Sequence, residues 1–269
     1  MSNRRPLKSL GQNFLVDGNI IDKIIHSADI KPEDCVLEIG PGRGALTGYL
    51  ARKAGRLVLV EYDHALAAGL KKLYAGDPRV TVVDADILAV DLADLLKDAQ
   101  GWKVVANLPY NISTAVLFRL LDVRDRLARM VLMLQKEVGD RLVAAPNCAD
   151  YGVTTVLLGL WFDMRREFIV PPGCFHPSPK VDSAVLSFVP LPAPRVQVGD
   201  EAVFRRVVKG AFAMRRKTLI NCLKAAELTS NTGLRGILAD CGIDGQRRGE
   251  TLSLDEFAAL SRHFSGAAT

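Results

Sequence analysis

Residues 104–110 read Val-Val-Ala-Asn-Leu-Pro-Tyr, a short apolar run that stops at an amide, a proline and an aromatic ring. Apolar residues bounded by a turn signal predict a buried strand, with residues 107–110 at its carboxyl end. In an open α/β sheet, ligands bind at the carboxyl ends of the strands. This stretch therefore indicates both a fold class and the edge of the sheet where a site is expected.

The residues that end this strand can hold a planar amine. The side-chain oxygen of Asn107 and the carbonyl of Leu108 or Pro109 can each accept one N–H of an exocyclic amino group. Tyr110 offers a ring face on which a base can stack. The same residues also fit an ordinary strand-to-helix turn in which Asn107 is a cap. Taken alone, they leave both interpretations open.

A glycine-rich loop and a spaced acid occur earlier in the chain. The loop, residues 40–44, follows a predicted strand at residues 35–39, and its glycines allow the backbone to turn tightly and to approach a ligand closely. The next predicted strand, residues 57–61, ends at Glu61, near the spacing at which an acid receives the hydroxyls of a ribose. The pattern predicts a nucleoside-containing cofactor. The alternative for Glu61 is a helix cap, which Asp63 could supply equally well.

Further strands alternate with helical patterns, which predicts a mostly parallel sheet with helices on both faces. They are expected at residues 80–83, 129–134, 165–170 and 184–189, the last two forming an antiparallel terminal hairpin. Asp86 follows the first of these strands, where its carboxylate either accepts from an adenine amine or is a simple turn residue.

The loop between the last two strands is rich in proline. Four prolines between residues 171 and 179 stiffen it, so that it can present Phe175 at a fixed place. The alternative is that Phe175 fills the core.

The last third of the chain has a different character. Prolines at 190, 192 and 194 mark a linker, so we predict two domains, residues 1–190 and 191–269. Residues 190–269 carry 12 Lys and Arg against 8 Asp and Glu, whereas the rest of the chain is nearly neutral. One helix is expected over residues 201–226, with a basic stripe that would meet an anionic partner or remain a solvated face. The stripe comprises Arg206, Lys209, Lys217 and Lys224, and Arg215 falls on the apolar side.

Bulk composition narrows the class of protein. The chain has 269 residues and 49% hydrophobic content, enough for a sizeable core. It contains no apolar run of about 18 residues, and its first residues have no apolar core, so we expect neither a membrane span nor a signal peptide. The five cysteines are scattered, with no C-x-x-C pair, which predicts reduced structural cysteines in the cytosol and no metal site.

Several separated segments together resemble the ribosomal RNA adenine N6,N6-dimethyltransferases over nearly the whole chain. The glycine loop is shared by many methyltransferases, but Gly-Gln-Asn-Phe-Leu combined with Asn-Leu-Pro-Tyr and Phe-x-Pro-x-Pro-Lys-Val is highly specific. Leu10 and Ile220 depart from the usual aromatic and basic residues of the family. The matching segments are residues 10–17, 36–47, 60–63, 107–113, 175–183 and 215–219.

The resemblance implies a Rossmann-like class I methyltransferase domain followed by a small helical domain, with S-adenosyl-L-methionine as the cofactor. It implies cofactor contacts at Asn13, Leu15, Gly40, Gly42, Glu61, Asp86 and Asn107. We assign the chemistry to Asn107, Leu108, Pro109, Tyr110 and Phe175. RNA contacts are expected at Arg206, Lys209, Arg216, Lys217 and Lys224.

The resemblance also implies the substrate: two neighbouring adenosines near the 3′ end of small-subunit ribosomal RNA, each methylated twice in an assembling 30S particle. We expect a cytoplasmic monomer that uses no metal. Three alternatives stand beside it: a related enzyme that modifies large-subunit RNA, a nicotinamide oxidoreductase and a non-catalytic RNA-binding assembly factor. The oxidoreductase would share only the glycine loop and Glu61, and the assembly factor would not need intact site motifs.

Overall fold

A computed structural model describes residues 12–214, 216–226 and 231–266. Its strands follow the apolar runs of the sequence, with ends at glycine, asparagine or acidic residues. They are β1 (Phe14–Leu15), β2 (Cys35–Ile39), β3 (Arg56–Glu61), β4 (Val80–Asp84), β5 (Trp102–Asn107), β6 (Leu127–Gln135), β7 (Phe162–Val170), β8 (Phe175–His176) and β9 (Ser183–Pro190).

Helices connect most of these strands and make up the remainder of the chain. They are α1 (Gly18–Ala28), α2 (Thr47–Lys53), α3 (His64–Leu73), α4 (Leu92–Leu95), α5 (Ser113–Asp122), α6 (Lys136–Leu142), α7 (Val153–Gly159), α8 (Glu201–Ala211), α9 (Leu219–Ala225), α10 (Asn231–Asp240) and α11 (Leu254–Phe264).

The main sheet has seven strands in the order β4-β3-β2-β5-β6-β9-β7. The pairs β4·β3, β3·β2, β2·β5 and β5·β6 are parallel, and β9 runs antiparallel to β6. The chain order reverses between β2 and β5, which places a crevice beside the carboxyl ends of these two central strands. The predicted α/β class, with a mostly parallel sheet and an antiparallel terminal part, is confirmed.

Two details of the strand pairing were not anticipated. β9 lies between β6 and β7, so the terminal pair is continuous with the parallel part of the sheet through β9. In addition, β1 and β8 pair antiparallel as a separate two-stranded sheet, with Leu15 opposite Phe175. The proline-rich segment, residues 171–179, was predicted as a loop, and two-residue strands formed by distant segments leave no periodic signal.

The chain divides into two compact units, residues 1–139 with 163–190, and residues 140–162 with 191–269. The predicted first domain, residues 1–190, is therefore wrong for residues 140–162. Packing explains the difference, because α7 contacts α8 and the Tyr151 ring lies 6.1 Å from the Phe212 ring. A continuous stretch of sequence can contribute to two cores, which composition does not show.

The core of the first unit forms where α1 covers the sheet. Asp17 caps this helix by accepting a hydrogen bond from the N–H of Ile20, and the apolar side of the helix is buried. A buried aliphatic side chain contributes about 1.5–3 kcal/mol, so this face holds α1 against the sheet. The residues buried along α1 are Ile20, Ile21, Ile24, Ile25 and Ala28.

The single helix predicted over residues 201–226 is wrong. α8 ends at Ala211, and α9 begins at Leu219 and packs back against α8. Gly210 permits this approach, since a Cβ there would lie 2.8 Å from the Cβ of Ala226. The apolar period continues through the interruption, so the sequence pattern resembles one helix although two short helices bury their faces against each other. Arg215 lies outside the described residues, as does Leu10.

The described residues also bear on the expected class of protein. No helix among them is long and apolar enough to span a membrane. The five cysteines are free. In the described parts of the chain, no cluster of three or more His, Cys, Asp or Glu side chains could hold a metal ion.

Candidate active site

A cavity of about 320 Å³ opens in the first unit at the carboxyl ends of the parallel strands. Its walls come from the ends of β2, β3 and β5, the turn after β4, and residues 12–15 at the start of the described chain. Strand order explains the location, because the crevice beside β2 and β5 is where the chain reverses direction through the sheet. Segments far apart in sequence thus contribute to one pocket.

The glycine loop turns sharply around one wall of this cavity. Gly40, Gly42 and Gly44 have φ angles of 65°, 57° and 80°, in the left-handed region that side chains disfavour. Gly42 is also crowded, because a Cβ there would lie 3.1 Å from the ring of Phe14. The backbone conformation therefore favours glycine at this position, and a side chain there would also push the Phe14 ring by a few tenths of an ångström.

Glu61 joins the loop to the end of β3. Its Oε2 accepts a hydrogen bond from the N–H of Gly42, and its Oε1 accepts one from the N–H of Asp63, each at 2.8 Å. Asp63 itself caps α3 by accepting from Ala65 and Leu66. Glu61 is therefore not the cap of α3, since Asp63 has that role. Each carboxylate oxygen retains a further lone pair that can accept a ligand hydroxyl.

The carboxyl of Glu61 lies in a partly dehydrated place. Burial raises its pKa above the ordinary value, and the hydrogen bonds from Asp63 and Gly42 offset part of that rise by stabilising the ionised form. The side chain is only 6% exposed. A hydroxyl donor that reached it from the cavity would meet a desolvated acceptor, and hydrogen bonds are stronger in such an environment.

Glu38, next to the last residue of β2, is a second acid on the cavity wall that we did not predict. It is buried, and its Oε2 has no hydrogen-bond partner among the described residues. Burial raises the pKa of Glu38 to about 8, the Thr47 hydroxyl opposing the rise and the charge of Glu61 adding to it. Its place in Val-Leu-Glu-Ile was the available signal, because an acid inside an otherwise apolar strand is unusual.

Residues 12–15 line the cavity, and residues 13–16 are held by contacts with several other segments. The Phe14 ring packs on the glycine loop, and the Arg43 guanidinium lies over it at 4.4 Å from the ring centroid. The backbone carbonyl of Asn13 accepts a hydrogen bond from Asn107, 3.1 Å away, and Val16 N–H donates to Cys174 O at 2.9 Å. Asn13 and Leu15, two predicted cofactor contacts, both line the cavity.

Asn107 and the residues after it form the end of the cavity beside β6. The amide Nδ2 of Asn107 donates to Asn13, which directs its Oδ1 as the remaining acceptor. Leu108 N–H donates to Met133 O at 3.1 Å, and Pro109 O accepts from Ile112 N–H at 3.2 Å. Among the described residues, no donor reaches the carbonyl of Leu108. Of the two carbonyls left open by the sequence, Leu108 is therefore the better second acceptor.

Tyr110 is half-buried at the same end. Its hydroxyl shares a hydrogen bond of 2.8 Å with Ser183 Oγ, and Ser113 Oγ donates to its backbone carbonyl at 3.2 Å. Burial raises the pKa of Tyr110, so its hydroxyl is neutral at physiological pH. Ser183 belongs to one of the segments that carry the family resemblance, residues 175–183, but nothing in the sequence indicated that it contacts Tyr110.

Two predicted site residues have mixed placements. Asp86 lines the cavity and also accepts a hydrogen bond from Leu88 N–H at 2.8 Å, so it has the turn role and remains available at the wall. Phe175 does not line the cavity: it is 4% exposed and packs in the core of the first unit. Its pairing opposite Leu15 turns the ring inward, contrary to the expectation that a stiff loop would present it to a base.

The predicted RNA contacts lie in the second unit. Arg206 and Lys209 are exposed on α8, opposite the buried Phe204 and Val208. Arg216 and Lys217 are exposed in the turn before α9, and Lys224 is partly exposed on α9. The helix break therefore distributes these cations over three structural elements, and the single stripe of four residues that we predicted is wrong.

The geometry of the cavity favours one kind of chemistry. An acid beside a glycine loop can hold a nucleoside, and an amide oxygen next to a carbonyl can orient a planar amine. The tyrosine ring beside these acceptors can stack on the base that carries the amine. The described residues thus provide a place for a nucleoside cofactor and, next to it, acceptors for an amino group.

Comparison with known proteins gives the same class of chemistry. A family model described as ribosomal RNA adenine dimethylase matches residues 3–260. Relatives described as ribosomal RNA small subunit methyltransferase A are 60% identical in Geobacter metallireducens, over 96% of this chain and 95% of the relative, and 58% identical in Geobacter sulfurreducens, with the same coverage.

Solved structures are similar over nearly the whole chain as well. A dimethyladenosine transferase from Plasmodium falciparum superposes with a TM-score of 0.82 at 26% identity, covering 94% of this chain and 98% of that one. The 23S rRNA methyltransferase ErmE superposes with a TM-score of 0.70 at 25% identity, covering 94% and 99%. Both match across the two units of this chain.

Proposed function

This chain belongs to the family of ribosomal RNA adenine dimethylases, and we propose that it dimethylates N6 of two neighbouring adenosines near the 3′ end of small-subunit ribosomal RNA. The observation that carries the proposal is the pair of acceptors at the end of β5, Asn107 Oδ1 and the Leu108 carbonyl, beside a cavity suited to a nucleoside cofactor. Relatives up to 60% identical are small-subunit RNA methyltransferases, which supports the choice of RNA.

The cavity residues fit S-adenosyl-L-methionine. Gly40 and Gly42 leave room for close approach, the desolvated carboxylate of Glu61 suits the ribose hydroxyls, and Asp86 suits the adenine amine. Glu38 has a buried oxygen without a partner among the described residues, which suits a polar group brought by a ligand. We propose that these residues hold the cofactor together with Asn13, Leu15 and Asn107.

When bound, S-adenosylmethionine supplies an electrophilic methyl group. The residues at the end of β5 act on the other reactant, the adenine. Its N6 lone pair is delocalised into the ring, so the amine is a weak nucleophile unless its hydrogens are turned out of the ring plane. Asn107 Oδ1 and the Leu108 carbonyl, each accepting one N6 hydrogen, favour that geometry and hold the nitrogen in place.

Tyr110 stacks on the adenine, which must leave its own stack in the RNA to enter the site. The nitrogen is positively charged after methyl transfer and therefore acidic, so it gives its proton to water and no general base is required. For the second methylation only one N6 hydrogen remains. One of the two acceptors then releases the amine, and the space it leaves must accommodate the first methyl group.

Phe175 takes a different part in this proposal from the one that the sequence favoured. Its ring lies in the core of the first unit, and its backbone pairs with Leu15, so it supports the segment of residues 12–15 that lines the cavity. Pro109 contributes by closing the turn through its bond from Ile112.

We propose that exposed and partly exposed cations of the second unit contact RNA phosphates. Arg206, Lys209, Arg216, Lys217 and Lys224 are the residues concerned. We further propose that the chain acts as a monomer in the cytoplasm on an assembling small subunit, with the second unit, residues 140–162 and 191–269, as its RNA-binding part.

The test is mass spectrometry of adenosine in ribosomal subunits that lack this modification, incubated with the protein and S-adenosylmethionine. Small subunits should gain N6,N6-dimethyladenosine at two neighbouring positions near the 3′ end. Large subunits, incubated in parallel, should gain none. Dimethylation of the large subunit would favour the activity of the structurally similar ErmE, and the absence of methylated adenosine from both would overturn the proposal.

A further inference from the structure

Two hydrogen bonds fix Tyr110, one at its backbone and one at the hydroxyl of its ring. At the backbone, Ser113 Oγ donates to the Tyr110 carbonyl at 3.2 Å, and at the tip, the hydroxyl shares a 2.8 Å hydrogen bond with Ser183 Oγ. A ring tethered only at its backbone can swing about χ1 between staggered positions. With the hydroxyl tethered as well, the ring cannot leave the wall of the cavity without breaking a hydrogen bond.

Ser183 is a rigid partner for the Tyr110 hydroxyl, and we call the hydrogen bond between them the tether. It is 0% exposed and opens β9, where it pairs with Gln135 of β6. β6 also fixes the acceptor end of the site, because Met133 O accepts from Leu108 N–H. One strand therefore sets the position of the amine acceptor directly and that of the tyrosine ring through Ser183. The spacing between the acceptor and the ring face is then determined by the sheet.

We propose that Ser183 is a positioning residue, which holds the Tyr110 ring in the orientation that receives the face of the target adenine. This inference rests on the proposed function, in which an adenine enters beside Asn107. Ser183 does not touch the adenine and acts only through the hydroxyl of Tyr110. A phenylalanine at 110 would present a similar face but would lack the tether.

The test is a double-mutant cycle on the full chain, with Ser183→Ala, Tyr110→Phe and the combined variant. Single-turnover methylation is measured on unmethylated small subunits at saturating S-adenosylmethionine. Each single variant removes the same hydrogen bond, so each should lower the rate by about three- to tenfold. The combined variant should be no slower than either single one, because the interaction is already lost.

Ser187→Ala is the matched control. Ser187 is a buried serine on the same face of β9, about 13 Å along the strand, and its hydroxyl donates to Glu167 Oε1 at 2.6 Å. It should lose stability as Ser183→Ala does but keep the wild-type rate. Cofactor affinity from calorimetry should be unchanged in all of these variants.

A wild-type rate in Ser183→Ala, or losses that add in the combined variant, would overturn the proposal. If Ser183→Ala does not fold, Tyr110→Phe decides alone, and a wild-type rate there contradicts the tether. Tyr110→Ala separates this inference from the proposed function. A strong loss in Tyr110→Ala with none in Ser183→Ala leaves the stacking role intact and removes only the tether, whereas an absence of methylation by the wild-type protein overturns the function itself.

Discussion

The cavity of the first unit and the exposed helix face of the second differ in how their polar groups are held. In the cavity, Glu61, Asn107 and Tyr110 each have hydrogen-bond partners within the protein before any ligand arrives. On α8, Arg206 and Lys209 are exposed and form no ion pair with the described residues. The first region is arranged in advance to orient a small reacting group. In the second, we propose that contacts with an anionic partner form only on binding.

The largest effect is expected at Phe175, which tests whether this residue belongs to the core or to the site. Phe175→Ala should lower the free energy of unfolding by about 3–5 kcal/mol, because a buried aromatic side chain is lost. Chemical denaturation measures it. Phe175→Leu is the control, since it keeps most of the apolar volume but has no ring to stack. A stable Phe175→Leu variant that has lost methyl transfer would show that the Phe175 ring acts in the site.

Glu61 tests the arrangement of the cavity before ligand binding. Glu61→Ala should weaken S-adenosylmethionine binding by about 1.5–3 kcal/mol, because hydrogen bonds to a charged group are lost. Calorimetry gives the affinity. Asp63→Ala serves for comparison, as it removes the cap of α3 but leaves the Asp63 N–H that Glu61 uses. Equal affinity of Glu61→Ala and the wild-type protein would exclude Glu61 from the cofactor site.

Glu38 makes the free energy of unfolding depend on pH, which the exposed cations of α8 do not do at pH 5 to 8. Its pKa is about 8 in the folded protein and near 4.5 in the unfolded chain. Between these values the unfolded chain releases the proton and the folded protein keeps it, so this group makes stability fall as pH rises, by at most about 1.4 kcal/mol per pH unit. Denaturation at pH 5 to 8 should show a flatter profile for Glu38→Gln. Identical profiles would refute the buried protonated acid.

The smallest change concerns the exposed cations. Combining Arg206→Ala with Lys209→Ala should reduce the salt dependence of small-subunit binding by about two units of slope, because each cation neutralises about one phosphate. Arg205→Ala on the same helix is the matched control, since Arg205 already pairs with Glu201 at 2.9 Å. A salt titration with equal slopes for wild type and the double variant would remove α8 from the RNA contact.

Features that depend on neighbouring residues could be predicted from the sequence, whereas features that depend on distant residues could not. The strands near the cavity were predicted because each is an apolar run that ends abruptly, and the candidate acids stand at those ends. The pairing of β1 with β8 and the hydrogen bond between Tyr110 and Ser183 depend on residues distant in the chain. The break between α8 and α9 was missed because the apolar period continues through it.

Asn107 and the basic face of α8 should therefore fail in different ways. Asn107→Ala removes an acceptor that orients the amine, and a reacting group misplaced by about 1 Å costs on the order of a hundredfold in rate. The loss should persist when small subunits are saturating. Thermal unfolding checks that the variant is folded. The double variant Arg206→Ala with Lys209→Ala should instead require more small subunit for half-saturation.

The most direct measurement is the single-turnover rate of methyl transfer against small-subunit concentration for these two variants and the wild-type protein. We predict that the double variant reaches the wild-type rate at saturation, and that Asn107→Ala stays about a hundredfold slower at every concentration. A wild-type rate for Asn107→Ala at saturation would contradict the role of the cavity in orienting the amine. A loss that persists at saturation in the double variant would contradict a role of α8 in binding alone.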